Sequence, residues 1–149
     1  MKVPTVWDDR YNTRASGSIL STHKAATVMA EASSLDLVDV QSSFGLATAT
    51  DLSSAHTAGY INAVITGEPR VIAESQGFTW SPEFATSVLG IWHGHQVACD
   101  LALLEKSGLV LHPVSGAHHA KADHGSGFCT LNFLAGVSFS PIPSDRALK

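Results

Sequence analysis

Ser81-Pro82-Glu83 opens the longest helical pattern in the chain. It combines a serine that can cap, a proline at the first helical position and an acid in the first turn. The pattern runs to about Lys106, stops at Gly108 and gives way at once to LVLHPV (109–114). That run is short and nearly continuously apolar, the profile of a strand buried in a parallel sheet. A glycine-rich loop follows, and FCTLNFLAGV (128–137) then reads as a helix. Strand, loop and helix in this alternation specify an α/β layered fold with a parallel sheet. Sites in such sheets lie beyond the carboxyl ends of the strands, and the glycine-rich loop begins at that end of 109–114.

The rest of the chain fits the same class. VPTVW (3–7) has strand alternation and is closed by the turn-prone DDRYN. Ser21 and Thr22 can cap a helix to about Ser33 that carries Ala25, Val28, Met29 and Ala32 on one face. LDLVDVQ (35–41) alternates as a strand or an irregular extended piece. Asp51 caps a helix that ends at Gly67, 68–80 reads as a polar loop, and the tail SPIPSDRALK reads as a connector. At 149 residues the chain forms one domain, 1–149, able to bury roughly two-thirds of its unfolded surface.

Composition narrows the function classes. The nine Lys and Arg are scattered singly and net charge is -4, so the electrostatic footprint of a nucleic-acid binder is missing. No run approaches the roughly 20 apolar residues of a membrane span, and Asp8 and Asp9 stand where a signal peptide needs an apolar stretch. The two cysteines, Cys99 and Cys129, are too few for a disulfide framework and not spaced as a zinc knuckle. A cytoplasmic location with both thiols reduced is expected.

Residues 112–132, HPVSGAHHAKADHGSGFCTLN, hold half of the eight histidines. His118 and His119 are adjacent, with Gly116 before them and Gly125 and Gly127 ahead of an aromatic. Imidazoles titrate near neutral pH, so a pair on a loop points to proton transfer or to a metal site. An isolated His-His dipeptide is more often a pair of ordinary loop residues; the preceding strand and the glycines shift the balance. Glycines let the backbone approach a ligand, and Phe128 can wall a narrow slot for an apolar chain. A local metal site has little support. His93 and His95 stand two apart on a helix and point to nearly opposite sides. His112, His118, His119 and His124 have no carboxylate or thiolate at familiar zinc spacing. Ser21 and Lys24 match a serine-x-x-lysine pattern, but a helix cap explains Ser21 better, and Cys129 reads as a packing residue rather than a nucleophile.

SGAHHAKADHGSGFCTLN (115–132) resembles the double-histidine segment of the zinc-dependent histone deacetylase family, which includes acetylpolyamine amidohydrolases and acetoin-utilisation proteins. That family has two glycines, one variable residue, two histidines and an alanine, then Gly-Phe-Cys and an Asn. Those places here hold Ser115-Gly116, Ala117, His118-His119-Ala120, Gly127-Phe128-Cys129 and Asn132. Ser115 departs from the first glycine. ATATDLSSAHTAGYINAV, with His56 and Tyr60, and ESQGFTWSPEFATSVLG resemble the family's upstream segments more weakly.

The resemblance implies a three-layer α/β/α arginase/deacetylase fold, of which 1–149 is the N-terminal part. It also implies a zinc ion that polarises an acetyl-amide carbonyl and activates a water. His118 and His119 are then general base and acid, and Gly127 and Phe128 line the tunnel. The substrate is an acetyl-lysine protein or an acetylated small molecule such as an acetyl-polyamine. The family's zinc ligands, an Asp-x-His pair on the next strand and a later Asp, have no counterpart here, nor do the carboxylates that orient the histidines. Residues 1–149 are therefore expected to hold no metal ligand and to be inactive alone. The alternative is a non-catalytic remnant or oligomerising module, with a homo-oligomer as its partner state.

Overall fold

The computed structural model describes residues 2–12, 23–42, 45–104, 108–114 and 117–139. Strand β1 (Val3–Val6) pairs in parallel with β2 (Val38–Gln41), with Val3 opposite Val38 and Val6 opposite Gln41. On the other side of β1, Leu111 bridges Thr5, also in parallel. Val6 N–H donates to the Leu111 carbonyl and Leu111 N–H to the Pro4 carbonyl, both at 2.9 Å. The order β2–β1–Leu111 leaves β1 central, and Thr5 and Val6 are accordingly fully buried. The fold is α/β with a small parallel sheet.

The expected buried strand at 109–114 is realised only as that one bridge. Leu109 is exposed and 110–114 are half-buried. Pro113 brings no N–H to a ladder, and Val114 N–H turns back to the His112 carbonyl at 2.9 Å, so pairing ends there.

Asp8 caps a single 3-10 turn, Asp9–Tyr11, after β1. Helix α1 (Lys24–Ser34) buries Met29, with Ala25 and Ala32 half-buried, but Val28 faces solvent. The inner face is thus narrower than the sequence pattern. The expected caps Ser21 and Thr22 lie outside the described residues. The helix ends with Asp36 at φ 56. Leu37 N–H returns to the Ala32 carbonyl and Asp36 N–H to the Ser33 carbonyl, a Schellman closure that feeds the chain straight into β2.

The helix expected over 51–67 is two helices, α2 (Ala49–Leu52) and α3 (Ala58–Thr66). Thr48, not Asp51, is the cap of α2; Asp51 is the third helical residue and completes a capping box with it. Thr57 caps α3, and Gly67 ends it at φ 81, a left-handed position that glycine takes without penalty. The segment 68–80 is loop apart from one turn, α4 (Arg70–Ala73). Helix α5 (Pro82–Leu104) starts as expected, with Phe84 N–H donating to Ser81 Oγ at 3.1 Å. Its expected stop at Lys106 lies outside the described residues, as does the tail from 140. The last helix, α6 (Phe133–Phe139), begins five positions later than the expected 128, because 126–129 are a turn.

Two packing centres meet along α5. Leu52, Tyr60, Ile61, Val64, Leu89, Trp92, Ala117, Leu131 and Phe133 form one, and Trp7, Tyr11 and Met29 the other. Ile91 and Val114 pack against both. Ala117 and Leu131 bracket the histidine loop, so both ends of that loop are anchored in the larger core.

Candidate functional site

Ala117 to Ala120 form a turn that exposes both His118 and His119. Their ring centroids are 4.0 Å apart and the planes tilted by 45°. Among the described residues neither ring has a hydrogen-bond partner. The pair is held by the backbone around it, and the side chains of four residues, His56, Tyr60, Ser75 and Asn132, do most of the holding.

His56, buried just before α3, is the main clamp. Its Nε2 accepts from Asn132 N–H at 2.9 Å, which puts the ring proton on Nδ1, and Nδ1 donates to the Lys121 carbonyl at 3.0 Å. Burial lowers its pKa below the ordinary value, against smaller raising effects of its backbone contacts, so the neutral tautomer that makes both bonds is favoured. Thr57 N–H donates to the Ala122 carbonyl at 2.8 Å; this bond accounts for the break between α2 and α3. Tyr60 Oη donates to the Thr130 carbonyl at 2.6 Å, and burial raises its pKa, keeping the phenol protonated. Ser75 Oγ accepts from Gly125 N–H at 2.8 Å.

Asn132 closes the loop from the other end. Its Oδ1 accepts from Ala135 N–H at 3.1 Å, capping α6, and its Nδ2 donates to the Ala120 carbonyl at 3.2 Å. The residue after the histidine pair is thereby tied to the start of α6.

Gly127 and Phe128 sit at the tip of a tight turn. Ser126 and Cys129 exchange backbone hydrogen bonds at 3.1 and 2.8 Å. Gly127 has φ +52 and Phe128 φ +64, the pair of positive values found in a type I′ turn. Gly127 is required twice over, since a β-carbon there would also fall 2.9 Å from Cγ and Cδ2 of His119. Phe128 is 48% exposed, in a backbone region that disfavours a bulky side chain by about 1–2 kcal/mol. Its N–H donates to the Gln76 carbonyl at 3.1 Å and its ring leans on Phe78 with centroids 5.5 Å apart. Phe128 thus combines a positive φ with an exposed ring.

The structure thus brings together His119 and Gly127, with His118 and Phe128 alongside. His56, Tyr60 and Asn132, visible in the sequence only through the family resemblance, hold this loop; Ser75 and Gln76 lie in the weakly resembling segment ESQGFTWSPEFATSVLG but were not singled out there. Ser115 and Gly116 lie outside the described residues. Cys129 is a buried thiol. His124 is exposed, with Nδ1 2.7 Å from Asp123 Oδ1. His93 packs its ring on Gly45, whereas His95 turns toward Phe133 and His112.

Among the described residues no three or more His, Cys, Asp or Glu come together to hold a metal ion. The described residues therefore do not fit a three-ligand catalytic zinc site. Also among the described residues, no helix is long and apolar enough to cross a membrane.

Residues 17–136 match the family described as the histone deacetylase domain. Among solved structures, the crystal structure of the HDA15 HD domain superposes with a TM-score of 0.74 at 14% identity, over 93% of this chain and 42% of that one. The chain therefore spans less than half the length of that structure, and at such identity the likeness bears on fold alone. No curated protein matches the chain. With the family match covering well over half of its residues, this chain belongs to the histone deacetylase family.

Proposed function

We propose that this chain contributes the acid–base half of an amidohydrolase that cleaves an acetyl-amide, of the acetyl-lysine or acetyl-polyamine type. The observation that carries it is the exposed pair His118–His119, centroids 4.0 Å apart, with the His119 ring against Gly127 and the strained, exposed Phe128 next in the chain. One imidazole takes a proton from the attacking water and the other returns one to the leaving amine. Gly127 and Phe128 flank the aliphatic arm of the substrate. The family's zinc has no ligand set among the described residues, so residues 1–149 alone are proposed to leave the centre incomplete. We further propose a cytoplasmic location, in keeping with Cys99 and Cys129 as thiols; imaging a tagged chain would check it.

The test is a deacetylation assay with acetyl-lysine peptide and acetyl-polyamine, run on residues 1–149 and on the same residues extended through the family's missing strands, which carry the Asp-x-His pair and the later Asp. The short chain should give no hydrolysis above background. In the longer one His118→Ala and His119→Ala should each lower turnover about 10²–10⁴-fold while zinc content stays. Parent-rate hydrolysis by both variants would remove the acid–base assignment. Turnover with tightly held zinc in residues 1–149 alone would remove the incomplete-centre reading.

A further inference from the structure

A second histidine pair lies away from the exposed turn. His95, from α5, and His112, next to the Leu111 bridge, bring Nδ1 to Nδ1 at 3.4 Å. That is long for a hydrogen bond between ring nitrogens. It does match the ligand edge of a tetrahedral ion, since bonds of about 2.0–2.1 Å to nitrogen hold two ligands about 3.3–3.4 Å apart. We propose that His95 and His112 form a two-histidine site for a divalent first-row transition-metal ion, zinc being the probe of choice, with solvent completing the shell.

Several features support the site. The rings come from two separately anchored elements. His95 lies against Phe133 with centroids 4.6 Å apart, and His112 stands edge-on to Tyr11 at 5.5 Å. Leu111, one residue before His112, is fixed to β1 by two backbone hydrogen bonds. The pair is therefore preorganised rather than gathered by the ion. Both residues are half-buried. No carboxylate contacts either ring among the described residues, and imidazole nitrogen suits zinc, copper and nickel. With both Nδ1 atoms on the ion, each Nε2 carries a proton. The Nε2 proton of His112 is then buried over Gly94 without an acceptor among the described residues, a desolvation cost that coordination at Nδ1 has to offset.

The experiment is a titration of ¹⁵N-labelled residues 1–149 with zinc chloride, following the imidazole nitrogens by long-range proton–nitrogen correlation. The Nδ1 signals of His95 and His112 should move together and saturate at one equivalent, ahead of any change at His118, His119 or His124. First movement at the exposed histidines, with His95 and His112 unchanged, would sink the proposal. His95→Asn and His112→Asn should each weaken zinc binding about tenfold or more, since even residues that merely support a ligand cost about 10–100-fold. His118→Asn with His119→Asn should leave it unchanged. Retention of full affinity in His112→Asn also overturns the site; should either variant fail to fold, the wild-type titration decides alone.

Discussion

Gly127 occupies a point where backbone conformation and side-chain space are both exhausted. At φ +52 any β-carbon is disfavoured, and here it would also meet the His119 ring. Gly127→Ala should therefore destabilise the chain by more than the roughly 1–2 kcal/mol of a left-handed residue, and it should shift the His119 ring resonances; urea unfolding and NMR read the two effects. Phe128 carries the opposite load, a side chain retained where glycine would fit more easily. Phe128→Ala in the longer, active chain should raise KM for acyl-lysine substrates and change kcat less, because it removes a wall rather than a reacting group. Unchanged kinetics would assign Phe128 to packing against Phe78 alone.

At the scale of elements, the α2–α3 break and the start of α6 exist to serve the histidine loop. His56 is the element junction through which this acts, and its depressed pKa fixes the sign of a pH effect. Below the ordinary value of 6.5 the unfolded chain takes up a proton that folded His56 resists. Stability is thus fully present above about pH 6.5 and is lost as pH falls. His112, held to about 3, acts in the same sense. Urea midpoints measured with chelator from pH 7.5 downwards should fall, and His56→Gln should flatten part of that slope; a rise on acidification would contradict both. Thr57→Ala should cost about 1 kcal/mol as a lost cap while leaving the backbone bond to Ala122 in place. These elements also mark what a sequence can disclose. The Ser81-Pro82 start and the Gly67 stop were legible because caps are made by neighbours in the chain. The break before Thr57 was not, because its cause is the Ala122 carbonyl, far along the sequence. The shortened pairing at 109–114 was missed for a related reason, as an apolar run does not reveal that Pro113 and a turn at Val114 leave it one bridge. The histidine pair itself was readable as a motif, whereas nothing in the weakly resembling segment around Ser75 and Gln76 singled them out as holding its loop.

Across the whole molecule, two features stand against each other: a well-clamped loop and an underfurnished sheet. Leu103, Leu104 and Leu109 are each more than half exposed, Leu111 meets β1 through a single bridge, and among the described residues β2 is an outer strand with Val40 open to solvent. Apolar surface and an unpaired strand edge favour association. Residues 1–149 should therefore sediment above the monomer mass in a concentration-dependent way, and Leu103→Lys with Leu104→Lys should shift the distribution back; a monomer at every concentration would refute this. The clamps themselves have a consequence in time. Asn132 meets His56 across 76 positions and Thr130 meets Tyr60 across 70, contacts whose loop-closure entropy must be met before they stabilise anything. Synthesis proceeds from the N-terminus, so His118 and His119 emerge from the ribosome ahead of the residue that seats them. Until Asn132 has emerged and reached His56, the histidines ride on a glycine-rich segment that lacks this tether, and the candidate site is assembled later than the elements that precede it.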